Sequence, residues 1–291
     1  MTISIAWVRY LGDKTELVFA SDSRLSGGGH VDQCQKIFSL PREDCCISFA
    51  GSTLIAYPFI LQTINTISDY KKVFDRAVDI TDLSGRIVAL LNKFIGAHEG
   101  TIKEDFAKDL IDTSFLFGGW SWKTSKFCLW RLHFNNGAKK YVASTTGIWR
   151  LYHLPRHHPI EIAVIGDYRG DYLRNFAEKI DGKIKNARQD QSLVRLDYEP
   201  LNALADMLVD PKFTERRGSR KGAIGGSPQI TKIYPFMRTM NYAVEWKKEG
   251  KINYTVKGRT ISDFEIFSVP TIDPFTGVTK NHNQTPTNNS E

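Results

Sequence analysis

The hydrophobic period of this chain switches repeatedly between two residues and roughly 3.6, and that alternation is the strongest limit on its fold. Up to Gly51 the pattern is β-like. "TISIAWVRY" and "ELVFASDS" flank the turn signal "LGDKT", and "KIFSL" and "CCISFAG" follow, split by "PRED". Short runs joined by tight turns predict an antiparallel sheet. From Ser52 the period becomes helical through "STLIAYPFILQTINTIS" and "SGRIVALLNKFIGAH". The second places Ile87, Leu91, Phe94 and Ile95 on one core-facing stripe behind Ser84, the expected N-cap.

Strands return at "TSFLFGGWSW", "KFCLWRLHF", "AKKYVAS" and "IEIAVIGD", with a turn at Asn135–Gly137. "DYLRNFAEKIDGKI" and "YEPLNALADMLVD" read as a second helix pair, and "GGSPQITKIYP" and "NYAVEWKKEGKINYTV" as closing strands. The order strands, helices, strands, helices, strands predicts an α+β chain built as a four-layer αββα sandwich. One domain is expected over residues 2–268. The Thr/Asn/Pro-rich remainder, 269–291, reads as a flexible tail.

The formal net charge of +7 permits attraction to acidic partners, but the basic residues are spread along the chain. Their densest cluster, "ERRGSRKG" from Glu215 to Gly222, is expected to be a solvated loop, with nucleic-acid contact the lesser reading. Cys34, Cys45, Cys46 and Cys128 lack metal-ligand spacing and read as small apolar residues of a reducing compartment, Cys45 and Cys46 on opposite faces of one strand. "HLPRHHP" around His153, His157 and His158 has no carboxylate at ligand spacing, so neither metal nor cofactor is expected. Trp120, Trp122 and Trp130 are expected in a core or interface. With no charged-then-apolar leader and no apolar run of membrane-spanning length, the expected location is cytoplasmic, away from membranes.

Removal of Met1 would leave Thr2 carrying a hydroxyl and a free α-amine on one residue. A threonine hydroxyl needs a base within hydrogen-bond reach, and an α-amine, titrating at about 8 when unperturbed, is one that no other side chain has to position. The backbone N–H of Gly51, at a strand-to-helix turn, is the candidate donor to an oxyanion.

Several stretches resemble the proteasome β-subunit group of N-terminal-nucleophile (Ntn) hydrolases, which includes the peptidase partner of a bacterial two-component ATP-dependent protease. They are Thr2 at the head of a strand, "ASDSR" at the end of the second, Lys36 directly before "IFSL", "FAGST", "FGGWSW", "VIGDYRGDYL" and "IGGSPQITKI", in family order over roughly residues 2–240. The resemblance implies a threonine hydrolase acting on peptide or other amide bonds. Thr2 is then the nucleophile, Lys36 the cation that eases its deprotonation, Asp22 the partner of Lys36, and Arg24 a further anchor. It also implies a homo-oligomeric ring, with an ATPase as candidate partner.

This chain departs from the family where Asp167, Lys221 and Ile224 stand at supporting positions, and in about four extra residues between Thr2 and Asp22, placed in the "LGDKT" hairpin. Those departures leave open a noncatalytic assembly or interaction subunit.

Overall fold

The computed structural model describes residues 2–26, 29–97, 104–145, 162–190, 192, 194–215, 224–235, 238–248, 250–262, 264–265 and 268–281. β1 (Ile3–Leu11) and β2 (Lys14–Ser21) form the expected hairpin, Leu11 opposite Lys14, with Gly12 at φ 60° in the turn. β3 (Leu25–Ser26) and β4 (His30–Val31) pair with each other, and β5 (Ile37–Ser39) and β6 (Cys45–Ala50) follow. Then come α1 (Thr53–Asp69), α2 (Lys71–Phe74), α3 (Ile80–Gly96), α4 (Glu104–Asp112), β7 (Ser114–Ser121), β8 (Lys126–Asn135), β9 (Lys140–Thr145) and β10 (Ile162–Gly166). α5 (Arg169–Asp190), α6 (Glu199–Val209) and α7 (Pro211–Thr214) precede β11 (Gln229–Tyr234), β12 (Arg238–Asn241), β13 (Ala243–Lys248), β14 (Lys251–Val256), β15 (Arg259–Thr260), β16 (Thr271–Ile272) and β17 (Thr279–Lys280).

The first sheet runs β10-β1-β2-β11-β12 and the second β5-β6-β7-β8-β9. Strand alternation sends side chains to different cores. From the first sheet Ala6, Val8, Leu17 and Phe19 meet Cys46, Ala50 and Leu116 of the second, whereas Ile3, Ile5, Trp7 and Val18 pack with Tyr172, Phe176 and Leu204 of α5 and α6. On the second sheet's other face Cys45, Ile47, Phe49 and Phe115 meet Ile55 and Phe59 of α1 and Leu91 of α3. Cys45 and Cys46 therefore do face opposite ways. A strand buried on both faces, such as β1, reads as a near-continuous apolar run, and each large side chain so placed contributes about 1.5–3 kcal/mol.

The structure corrects several local expectations. α3 begins at Ile80, where the Asp79 carboxylate accepts from Thr81 N, so Asp79 is the N-cap and Ser84 lies inside the helix. An aspartate cap hidden in "VDITDL" was outweighed by the serine nearer the apolar stripe. α4 was not anticipated, because "EDFAKDLID" is largely charged. Trp122 is exposed, while Trp130 stacks on Phe117. The closing strands divide: β11 joins the first sheet, and β13 and β14 belong to a third sheet, β15-β14-β13-β16-β17. The described part of the segment expected as a tail, up to residue 281, contributes to that sheet: Thr271 and Ile272 are buried and pair in parallel with Ala243 and Val244, while 282–291 lie outside the described residues. Composition misjudged this segment because its strands are too short to carry a periodic signal.

Candidate functional site

Thr2 is buried at the head of β1, between β10 and β2. Gly166 lies opposite Ile3 at φ +99°, and a Cβ there would sit 1.9 Å from the Thr2 carbonyl oxygen. Only glycine lets the two strands approach this closely. The chain then turns so that Asp167 N donates to Thr2 O at 2.8 Å and Asp167 Oδ2 accepts from Thr2 N at 2.9 Å. That nitrogen is the peptide N of the Met1–Thr2 bond, and it stands in for the amine that removal of Met1 would create.

Asp22 follows β2 and Lys36 precedes β5, and both side chains are fully buried. Lys36 Nζ donates to Thr2 Oγ1 and to Asp22 Oδ1, each at 2.8 Å. Asp22 Oδ1 also accepts from Ile3 N at 3.1 Å, and Oδ2 accepts from the N–H groups of Arg24 and Gly225 at 3.2 Å each. A buried charge pair is tolerable only when its remaining hydrogen-bonding capacity is met, and these backbone donors meet it for the carboxylate. Burial pushes Lys36 below its ordinary value while the Asp22 carboxylate pulls it back; burial likewise pushes Asp22 up, against the pull of Lys36 and the amides of Ile3 and Gly225.

Gln229, from β11, holds the lysine's backbone. Its Oε1 accepts from Lys36 N at 3.0 Å, and its Nε2 donates to Cys34 O at 2.7 Å and Asp22 O at 3.2 Å.

The Arg24 guanidinium does not bind Asp22 or Lys36 as an anchor. It forms a fork on Asp32 at 2.6 and 2.8 Å and donates to the carbonyls of Thr214 and Ile224. Arg24 thus ties down the segment from which Gly225 reaches Asp22. Ile224, which replaces an expected hydroxyl, is buried in the core beneath α5 and α6. Lys221, His153, His157, His158 and residues 216–222 of the basic cluster lie outside the described residues.

Gly51 shares with Thr2 a cleft of about 750 Å³, also lined by Ser52, Asp109, Arg131 and Asp167. Its φ is +117°, and a Cβ would stand 2.5 Å from Thr113 Cα and 2.6 Å from Asp112 O. Backbone strain and overpacking together imply that Gly51→Ala costs about 2–4 kcal/mol of unfolding free energy. Urea denaturation would measure the loss, and an unchanged midpoint would show that the turn does not need glycine.

Of the residues sequence reading singled out, Thr2 and Gly51 line one cleft, Lys36 and Asp22 are buried behind Thr2 in a chain of hydrogen bonds, and Asp167 sits on the Thr2 nitrogen. Sequence reading missed Gly225 and Gln229 as partners of the charged pair, although both lie in a stretch already noted, "IGGSPQITKI". Among the described residues no group of three or more His, Cys, Asp or Glu could hold a metal ion, and no helix is long and apolar enough to cross a membrane.

No family model matches the chain, and no curated protein matches it in sequence. Among solved structures, Anbu (ancestral beta-subunit) from Yersinia bercovieri is similar with a TM-score of 0.50 at 14% identity, over 82% of this chain and 86% of that one. The Anbu (Gly-1) mutant from Hyphomicrobium sp. strain MC1 gives a TM-score of 0.49 at 14% identity, over 83% of this chain and 87% of that one. The first likeness shows a proteasome-like Ntn fold, α+β with mixed sheets. At this identity it speaks for the fold alone.

Proposed function

We propose that this proteasome-like fold is an αββα threonine hydrolase that cleaves peptide or other amide bonds through Thr2 once Met1 is removed. The observation that carries the reading is the Lys36 ammonium bridging Thr2 Oγ1 and Asp22 inside the protein. A fully buried lysine aimed at a hydroxyl is costly to maintain, and activating that hydroxyl gives the arrangement a purpose.

In the proposed cycle the neutral α-amine of Thr2 accepts the hydroxyl proton while Oγ1 attacks the substrate carbonyl carbon. The C=O electron pair moves to oxygen, where the Gly51 N–H stabilises the developing charge. Lys36 lowers the cost of an anionic Oγ1, and Asp167 orients the amine. Collapse breaks the C–N bond, and the leaving nitrogen takes the proton back from the α-ammonium. Water, deprotonated by the same amine, then hydrolyses the ester and returns the proton to Oγ1.

A homo-oligomeric ring in the cytoplasm, supplied by an ATPase, completes the proposal. The rival reading, a noncatalytic assembly subunit on the same fold, is favoured by one observation: the position where a supporting hydroxyl was expected is the buried Ile224.

The test is release of fluorophore from peptide amides by two preparations of the full chain, one lacking Met1 and one retaining it. Turnover confined to the Met1-free protein is expected. Absence of turnover in the Met1-free protein over a broad peptide panel would favour the noncatalytic subunit.

A further inference from the structure

We infer that Arg131 makes the Thr2 cleft selective for substrates with an acidic side chain, an assignment that rests on the cleft being where substrate binds. Arg131 lies on β8 opposite Leu116 of β7. Leu116 belongs to the core between the two sheets, so Arg131 points to that inner side, as does His133 two residues on, opposite Ser114. Both Arg131 and Ser114 line the cleft with Thr2.

Part of the Arg131 guanidinium is left unpaired among the described residues. Arg131 Nε is buried with no hydrogen-bond partner among the described residues, and so is Nδ1 of His133. The cleft also holds Asp109, Asp112 and Asp167, yet Asp109 Oδ2 accepts from Ser52 Oγ and Asp167 Oδ2 from Thr2 N, each at 2.9 Å, and among the described residues none of the three carboxylates satisfies Arg131 Nε. The charge that does act on Arg131 there is a second cation, Arg169, which together with burial pushes the guanidinium below its ordinary value.

A half-buried guanidinium whose Nε is desolvated and unpaired is costly for the folded chain. An incoming carboxylate supplies what is missing: a planar anion that accepts two N–H bonds from the guanidinium fork. The neutral amide of glutamine matches the shape of glutamate but lacks the charge, which makes Glu-against-Gln the discriminating comparison.

The experiment measures binding of peptide pairs, identical except for Glu or Gln at one of four successive positions, to the full-length Thr2→Ala chain by fluorescence anisotropy. At one position the Glu peptide is expected to bind at least about tenfold tighter, the size of one charge-assisted hydrogen bond. Arg131→Gln should abolish the preference and Arg131→Lys should retain part of it. Equal binding of every pair, or a preference that survives Arg131→Gln, would overturn the assignment.

Folding supplies an independent arm. Arg131→Met should raise Tm by about 2–4 °C, because it removes a half-buried charge whose Nε is unpaired, and a fall in Tm would overturn the assignment by showing that the chain itself compensates the guanidinium. Turnover by the native chain is scored separately. An Arg131-dependent preference without turnover sinks the hydrolase and keeps this inference, whereas turnover indifferent to charge sinks this inference and keeps the hydrolase.

Discussion

Thr2→Ala is expected to lower peptide-amide turnover by at least about 10³-fold while shifting Tm by no more than about 3 °C. The hydroxyl is the group that forms the covalent bond in the proposed cycle, so no neighbour replaces it. For folding, the change removes one acceptor of Lys36 Nζ and leaves the Lys36–Asp22 pair in place. Progress curves with a fluorogenic peptide and a thermal melt on the same sample separate the two effects. Retention of more than a tenth of the activity would move the nucleophile elsewhere.

Asp22→Ala should do the reverse damage, costing about 3–5 kcal/mol of stability as well as activity, because it strands a buried ammonium. It also leaves the N–H groups of Ile3, Arg24 and Gly225 without the acceptor they share. The pH dependence gives a second readout. Lys36 is already held below its ordinary value by burial, with Asp22 opposing that shift, so loss of Asp22 lowers it further.

Between the depressed folded value and the ordinary unfolded one, the folded chain binds fewer protons than the unfolded chain, and stability therefore rises with pH. In Asp22→Ala this window opens toward lower pH. Urea midpoints at pH 6, 8 and 10 should climb more steeply for the variant than for the native chain. Parallel slopes would mean that the lysine is not desolvated as its burial implies.

What could be read from the sequence divides along physical lines. Local signals survived folding: the Gly12 turn, the alternation that sends Cys45 and Cys46 to different cores, and the stripe carrying Ile87 and Leu91 each depend on residues a few positions apart. Thr2 was legible from its own chemistry, a hydroxyl beside an amine that Met1 removal would free, whereas Asp22 and Lys36 were legible through the resemblance carried by "ASDSR" and by the lysine before "IFSL".

Contacts made across the fold were not. Gly225 contributes a backbone N–H to Asp22 from 203 residues away, and Gln229 reaches Lys36 N from 193. Nothing in a glycine or glutamine marks such a role before the strands are placed. Arg24 shows the converse failure, since its position in "ASDSR" was informative but its side chain turned to Asp32. Arg131 gave no signal because an arginine in a strand reads as an outward-facing residue until the sheet it faces is known.

The central claim is that Thr2 is a processed nucleophile, and intact mass spectrometry of the chain purified from its own cells, before and after exposure to a peptide vinyl sulfone, tests it most directly. The account predicts a mass lower by one methionine residue, then a single adduct that fragmentation places on Thr2. A mature chain that keeps Met1 and takes no adduct would contradict it.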